Sequence, residues 1–144
     1  MSIRSQALPP GPPDAAGSVL VVDDEPAVRR LACRVLQEAG YAVLEAADGA
    51  DALSLIRSGA VDPDAVVSDI VMPRMSGVQL LESLSLERPR LPVILMSGYG
   101  TDQLSRRGIA SPCGILAKPF PPDLLLAEVR RCIALEAPGR GTQR

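Results

Sequence analysis

The stretch Val19-Leu20-Val21-Val22-Asp23-Asp24-Glu25-Pro26 joins four apolar residues directly to three carboxylates. A short run of aliphatic and β-branched residues is typical of a strand that is buried on both faces of a parallel sheet. Adjacent carboxylates repel one another, and their desolvation costs free energy unless a cation joins them. The stretch therefore predicts a central strand that ends at a charged site.

Four more short apolar runs follow, and amphipathic stretches of helical length separate them. The predicted strands cover residues 18–23, 42–46, 64–69, 92–97 and 114–117. The predicted helices run from Pro26 to a stop at Gly40 and over 50–58, 77–87, 101–113 and 122–135. Five strand–helix pairs with one apolar face per helix favour a doubly wound α/β sandwich, in which helices cover both faces of a parallel sheet.

The ends of the chain differ from its middle in composition. Residues 1–17 are rich in proline and glycine and poor in apolar side chains, and 137–144 contain the sequence Pro-Gly-Arg-Gly. Both segments are predicted to be flexible tails. With 144 residues in total, the chain is too short for two ordinary cores, so 18–136 are expected to form a single domain.

The overall composition excludes several classes of protein. Histidine is absent, which rules out a Ser-His-Asp triad, a His-ligated metal or a phosphohistidine carrier within this chain. A net charge of −2 provides no basic field for nucleic acid or for an anionic membrane. No apolar run approaches the length of a membrane span. A cytoplasmic protein that binds neither nucleic acid nor membrane is the expectation.

Cys33, Cys113 and Cys132 are the three cysteines of the chain. They form no C-x-x-C pair and are odd in number, which argues against a disulfide framework and against a zinc site. The sequence favours three small, buried side chains in a reducing compartment.

Polar residues end four of the five predicted strands. The first strand ends in Asp23-Asp24, the third in Asp69, the fourth in Ser97, and the fifth in Lys118. In the flavodoxin-like strand order 2-1-3-4-5, those four strands are neighbours and the second strand is an edge. Because ligands bind beyond the carboxyl ends of parallel strands, we expect these side chains to converge on one site.

This set of residues has a defined chemistry. Clustered carboxylates favour a hard cation such as Mg²⁺, and a lysine with a hydroxyl group can hold the oxygens of a phosphoryl group. Asp69 is then the candidate nucleophile, which would form an acyl phosphate. Taken singly, each residue fits a helix cap, a turn or a solvated strand end. Four such endings on the right four strands favour the functional interpretation.

Four motifs resemble one family closely. They are VDDE at 22–25, SDIVMPRMSG at 68–77, LMSG at 95–98 and AKPF at 117–120. In order and spacing they resemble the receiver domain of bacterial two-component response regulators, over about residues 18–136. The AKPF motif and the Ser-Gly-Tyr sequence that begins at Ser97 are also similar to the receivers at the ends of hybrid histidine kinases.

The resemblance implies a role for each site residue. Asp69 would accept a phosphoryl group from the phosphohistidine of a histidine kinase or histidine phosphotransfer protein, or from a small donor. Asp24, Asp69 and the Val71 backbone carbonyl would bind Mg²⁺ directly, and Asp23 would act through bound water. Lys118 would contact the phosphoryl oxygens, and the Lys118–Pro119 peptide bond, which is usually cis in this family, would aim the lysine at the site.

The family also implies a switch and a surface for a downstream protein. Ser97 would turn its hydroxyl group toward the phosphate, but Ile115 stands where the family often has an aromatic switch residue. Tyr99 is a candidate to replace part of that function. The expected output face combines the fourth helix, fifth strand and fifth helix, around 99–107, 115 and 122–133. The arginine pairs at 106–107 and 130–131 are candidate contacts there, or else solvated charges.

Three functions are compatible with these residues. The leading hypothesis is a stand-alone, phosphorylatable receiver that acts as a signalling switch or as a phosphorelay intermediate. The alternative is a receiver fold that binds partners without phosphorylation. A Mg²⁺-dependent phosphatase is the third, but it would require Asp-x-Asp after the first strand, which VDDEP lacks. In a receiver, Val71 and Tyr99 would flank the path of water to Asp69 and slow hydrolysis.

Overall fold

A computed structural model describes residues 17–98 and 111–141. The strands are β1 (Ser18–Val22), β2 (Ala42–Ala46), β3 (Ala65–Asp69), β4 (Val93–Ser97) and β5 (Gly114–Ala117). The helices in these ranges are α1 (Pro26–Glu38), α2 (Gly49–Ser58), α3 (Gly77–Glu87) and α4 (Pro122–Gly141). All strands are parallel, and the sheet has the order β2-β1-β3-β4-β5. The predicted flavodoxin-like α/β sandwich is confirmed.

Two of the predicted segments lie partly outside the residues that the structure describes. Of the predicted tail at 1–17, residues 1–16 lie outside the described residues. The predicted helix at 101–113 falls mostly outside them, and residues 111–113 are not helical. Pro112 accounts for the non-helical conformation of residues 111–113, because proline restricts the residue before it and cannot donate a backbone hydrogen bond.

The strand β1 forms the centre of the core, as its sequence predicts. All four of its apolar residues, Val19 to Val22, are completely buried. Val19 and Val21 pack with α1 and α4 on one face, whereas Leu20 and Val22 pack with α2 and α3 on the other. Because successive side chains of a strand point to opposite faces, one apolar run supplies both halves of the core.

Local signals in the sequence set the starts of two helices. Asp48 caps α2 by accepting a hydrogen bond from the backbone N–H of Asp51. Ser76 and Gln79 form a reciprocal capping box at the start of α3. The helix α2 begins after the loop at 47–48, and α3 begins after the loop at 70–76. Both loops lie at the carboxyl edge of the sheet. The caps therefore fix the loops that surround the predicted site.

The helix α4 extends beyond its predicted end. The sequence predicted a helix that ends at about residue 135, but the helix continues to Gly141. The prediction relied on the Pro-Gly pair as a stop signal. Extending an existing helix needs no new nucleation, so additional residues join it at lower cost than they would start one.

A disulfide bond between Cys113 and Cys132 corrects the expectation of three free cysteines. Cys113 directly precedes β5, and Cys132 lies on α4 with its Cα 6.0 Å away. Gly114, which follows Cys113, lies against the end of the Glu128 side chain of α4. The spacing of 19 residues gave no sign of the bond, because only the packing of α4 on β5 brings the two cysteines together. Cys33 remains free and buried.

Candidate functional site

The register of the sheet aligns the ends of four strands. Val22 of β1 pairs with Ser68 of β3, and Asp69 pairs with Met96 of β4. Ser97 in turn pairs with Ala117 of β5. Residues that follow these positions therefore emerge at a single edge of the sheet. The predicted convergence of Asp23, Asp24, Asp69, Ser97 and Lys118 rests on this alignment.

Asp23 is the most deeply buried acid of the site, with no exposed surface. One carboxylate oxygen accepts a hydrogen bond from the Glu25 backbone N–H at 2.9 Å. The other accepts from the Lys118 ammonium group at 3.2 Å. Both oxygens of Asp23 thus have donors within the protein, whereas the neighbouring Asp24 is exposed to solvent.

Arg29 supports this arrangement, and the sequence analysis did not identify it. Its guanidinium group donates to the backbone carbonyl of Asp23 at 2.6 Å and to the Glu45 carboxylate at 2.8 Å. The positive charge lies on the first turn of α1, where it partly offsets the charge of the acidic residues. An arginine on a predicted helix ordinarily indicates a face exposed to solvent. Only the short separation between Arg29 and Asp23 in the sequence could have indicated this contact.

Lys118 connects the first and third strands electrostatically. Its ammonium nitrogen lies 3.2 Å from Asp23 and 3.2 Å from Asp69. The Lys118 backbone N–H donates to the Ser97 carbonyl at 2.9 Å, and the peptide bond to Pro119 is cis, as the resemblance implied. The lysine thus lies between two carboxylates, with its backbone attached to the end of β4.

Burial and the neighbouring charges shift the pKa values of both Asp69 and Lys118. Burial raises the pKa of the Asp69 carboxyl group, and the adjacent Lys118 ammonium group only partly opposes this effect. Burial alone would lower the pKa of Lys118, but the carboxylates of Asp23 and Asp69 outweigh it and raise that pKa. The lysine is therefore held in its charged form, and Asp69 would gain from further positive charge.

The backbone at Asp69 is tightly enclosed. Ile70 donates its N–H to the Met96 carbonyl at 3.1 Å, and Gly77 donates to the Ile70 carbonyl at 2.8 Å. A Cβ at Gly77 would lie 2.2 Å from the Asp69 carbonyl oxygen, so only glycine fits here. The glycine that ends the SDIVMPRMSG motif therefore allows α3 to begin directly against the candidate nucleophile.

The remaining predicted residues occupy different environments. Ser97 is buried at the end of β4, beside the site. The Val71 side chain is 78% exposed in the loop after Asp69. Ile115 is partly exposed on β5, where it pairs with Leu95 of β4, whereas Tyr99 lies outside the described residues.

The three aspartates fit a divalent cation by their chemistry and spacing. Asp23, Asp24 and Asp69 each offer a carboxylate oxygen, and these oxygens lie within 4.8 Å of one another. All three donors are oxygen atoms, which suits a hard ion such as Mg²⁺ better than a soft metal. Lys118 contributes one positive charge against three carboxylates, so these four side chains together favour a further cation.

A family model described as "Response regulator receiver domain" matches residues 19–130, which include every strand end of the site. The chain belongs to the response regulator receiver family. Two curated relatives support this assignment. The chain is 42% identical over 123 residues to the sensor kinase CckA of Brucella abortus, and 37% identical over 126 residues to the response regulator MprA of a Mycobacterium species. These matches cover 83% and 85% of this chain.

This receiver spans only part of those relatives, namely 13% of the kinase and 53% of MprA. Among solved structures, it resembles the response regulator TrrA of Thermotoga maritima, which was crystallised in complex with Mg²⁺ and BeF. That match has a TM-score of 0.71 and 30% identity, and it covers 80% of this chain and 97% of TrrA. The shared fold extends over nearly all of the smaller protein.

Two further predictions concern surfaces. Arg131, a candidate partner contact, binds the Glu128 carboxylate and the Cys113 carbonyl, both at 2.7 Å, so its guanidinium group is engaged within the chain. Arg106 and Arg107 lie outside the described residues. Within the described ranges, no helix is both long enough and apolar enough to cross a bilayer.

Proposed function

We propose that this receiver accepts a phosphoryl group on Asp69 in a Mg²⁺-dependent reaction and signals through altered protein binding. The observation that carries the proposal is the position of the Lys118 ammonium group, 3.2 Å from both Asp23 and Asp69. A lysine that bridges a nucleophilic carboxylate and a second acid can hold the oxygens of an incoming phosphoryl group. Asp23 keeps the lysine charged and oriented for that contact.

The chemical step is a displacement at phosphorus. A carboxylate oxygen of Asp69 forms a bond to phosphorus, while the bond from phosphorus to the donor's imidazole nitrogen, or to the oxygen of a small acyl phosphate, breaks. The electron pair of that bond leaves with the donor. Lys118 contacts the transferred phosphoryl oxygens, and Ser97 lies at the adjacent strand end to donate its hydroxyl hydrogen.

The acidic residues would hold the metal. Asp24, Asp69 and the Val71 carbonyl are proposed as direct ligands, and Asp23, whose oxygens bind Lys118 and Glu25, is proposed to act through water. A bound Mg²⁺ supplies positive charge that offsets repulsion between the carboxylates and the phosphoryl oxygens. The exposure of Asp24 leaves its oxygens accessible to a hydrated ion.

The proposed partners follow from the family. A histidine kinase or a histidine phosphotransfer protein would supply the phosphoryl group, and a downstream protein would bind the face around β5 and α4. Ile115 and Leu124, both partly exposed, provide apolar surface on that face. Because Ile115 is aliphatic, signalling there would rely on altered packing instead of the rotation of an aromatic ring.

Intact mass spectrometry with acetyl phosphate tests the proposal. We expect one phosphate adduct in the presence of Mg²⁺ and none with EDTA. Asp69→Asn should abolish the adduct, and Lys118→Met should slow its formation by about 10²-fold, as expected for loss of a group that stabilises transferred charge. Asp62→Asn is the matched control, since Asp62 lies before β3 at the opposite edge and its side chain is 91% exposed.

The control should form the adduct at the wild-type rate. An adduct that persists in Asp69→Asn would overturn the assignment of the nucleophile. If neither acetyl phosphate nor a phosphorylated histidine kinase produced an adduct, the receiver would instead be an interaction module that works without phosphorylation.

A further inference from the structure

Arg74 has an unusual backbone conformation for its residue type. It lies in the loop between Asp69 and α3 with a φ of 67°, the only non-glycine residue with positive φ in the described part of the chain. This left-handed region is unfavourable for residues with a Cβ, and glycine or asparagine normally occupies it. A conformation of this kind persists only where surrounding contacts enforce it.

Asp48 supplies such a contact from the neighbouring loop. Two guanidinium nitrogens of Arg74, Nε and one terminal nitrogen, lie 2.9 Å and 2.8 Å from the same Asp48 oxygen. The Asp48 side chain is only 8% exposed, so this carboxylate is held in place. Its second oxygen caps α2 through the Asp51 N–H at 2.8 Å. One rigid acid therefore binds both a helix start and the arginine.

The backbone beside this ion pair is also attached to α2. The Gly49 N–H donates to the Met75 carbonyl at 3.3 Å. A Cβ at Gly49 would lie 2.7 Å from that oxygen, so the loop after Asp69 packs directly on the first residue of α2. The side-chain contact at Arg74 and the backbone contact at Met75 hold two consecutive loop residues against the same helix end.

Val71 lies three residues before Arg74 in this loop. Its own side chain is 78% exposed and cannot anchor the backbone through packing. Ile70 and Met72 on either side are buried in the core that contains α2 and α3. The direction of the Val71 carbonyl is thus set by its buried neighbours and by the conformation of the residues that follow.

We propose that Asp48 and Arg74 are positioning residues, which hold the loop Ile70–Ser76 in the conformation that presents the Val71 carbonyl to a cation. This inference rests on the proposed function, because it assigns a role toward the Mg²⁺ bound by Asp24 and Asp69. It concerns neither the ligands themselves nor the nucleophile. The ion pair matters because Arg74 has a Cβ and must still adopt positive φ.

Two substitutions of Arg74 separate conformation from charge. Arg74→Ala removes the ion pair but keeps the unfavourable backbone, whereas Arg74→Gly removes the ion pair and makes positive φ easy to adopt. The two variants carry the same charge, so simple electrostatic effects on cation binding are equal in both. A difference between them reports the backbone conformation at residue 74.

Magnesium titration, followed by amide chemical shifts in the full chain, gives the direct readout. We expect Arg74→Ala to bind Mg²⁺ about tenfold more weakly than Arg74→Gly, which corresponds to the lower range for loss of an outer-sphere partner. Hydrogen exchange of the amides at 70–77 should accelerate in Arg74→Ala and not in Arg74→Gly. Equal Mg²⁺ affinities in the two variants would overturn the proposal.

A second pair of variants tests the acid. Asp48→Asn keeps the helix cap, since asparagine caps as well as aspartate does, but it loses the charge that binds Arg74. Asp51→Asn is the matched control, because it removes the same charge from the same first turn. Asp48→Asn should weaken Mg²⁺ binding more than Asp51→Asn does, and equal losses would contradict the positioning role. A wild-type protein that binds Mg²⁺ but accepts no phosphate would overturn the proposed function alone.

Discussion

The strands β3 and β5 each deliver one residue to the site, but they are held in different ways. β3 pairs with β1 and β4 on its two sides, and all five of its residues are buried. β5 has four residues, pairs with β4, and buries only Leu116 completely. Asp69 therefore ends a strand fixed by the core, whereas Lys118 follows a strand at the edge of the sheet.

The edge strand depends on local attachments. The Cys113–Cys132 disulfide joins the start of β5 to α4, and Arg131 of α4 binds the Cys113 carbonyl. At the carboxyl end of β5, the Lys118 backbone N–H donates a hydrogen bond to the Ser97 carbonyl. The strand that carries Asp69 is thus held by hydrophobic burial, which does not depend on any single polar contact. The strand that precedes Lys118 is held by a few specific bonds.

The largest expected effect comes from truncating matched isoleucines in the two regions. Ile94 of β4 is completely buried beside β3, so Ile94→Ala should lower the free energy of unfolding by about 2–5 kcal/mol. Ile115 of β5 is 43% exposed, and Ile115→Ala should cost less than about 1 kcal/mol. Urea denaturation of both variants measures the difference. Equal losses would show that the edge strand is as strongly packed as the centre.

An intermediate effect is expected from breaking the disulfide. It closes a loop with a sequence separation of 19, and its loss should destabilise the protein by about 3 kcal/mol. Denaturation with and without a reductant measures this cost. The double variant Cys113→Ser/Cys132→Ser is the control, because a reductant should not change its stability. A reductant effect of the same size in that variant would assign the loss to another cause.

The smallest effect belongs to the loop that follows β3. The pKa of Asp48 is held below its ordinary value, chiefly because its carboxylate accepts a hydrogen bond from the Asp51 N–H. The Arg74 guanidinium group lowers this pKa further, and burial opposes both effects. A carboxyl group whose pKa is lowered by folding stabilises the folded state fully at pH values above its pKa in the unfolded chain, which is about 4. This stabilisation is lost as the pH falls through the lower pKa of the group in the folded protein.

Wild type should therefore exceed Asp48→Asn in stability at pH 7 by no more than about 1 kcal/mol, since Arg74 is exposed. The gap should be smaller at about pH 3, which lies below the ordinary carboxyl pKa, and it should narrow further as the pH falls through the lowered pKa of folded Asp48. Urea denaturation at both pH values measures it. A gap that widens in acid would contradict the assigned direction of the Asp48 pKa.

Much of the fold and of the site followed from the ends of the strands. The apolar runs that stop at Asp23, Asp69, Ser97 and Lys118 predicted both the sheet and the meeting of these residues, because parallel register brings such ends together. Strand limits agreed to within one residue. The signal was strong because burial on both faces leaves few alternatives for a strand such as β1.

Contacts that depend on how helices and loops pack were not predictable. The pairing of Cys113 with Cys132 depends on how α4 packs, and the bonds from Arg29 to Asp23 and from Arg74 to Asp48 depend on loop geometry. The capping role of Asp48 had a recognisable signal, since an aspartate precedes the helix that begins at Gly49. Its second role, toward Arg74, had none.

Borohydride trapping tests most directly the claim that Asp69, at the end of β3, carries the phosphoryl group. Borohydride reduces the carbonyl carbon of an acyl phosphate to an alcohol, so peptide mapping would identify the modified aspartate as homoserine. After incubation with acetyl phosphate and Mg²⁺, we predict homoserine at residue 69 and none in the sample with EDTA. Homoserine at Asp23 or Asp24, or a stable phosphate on Ser97 without homoserine, would contradict the account.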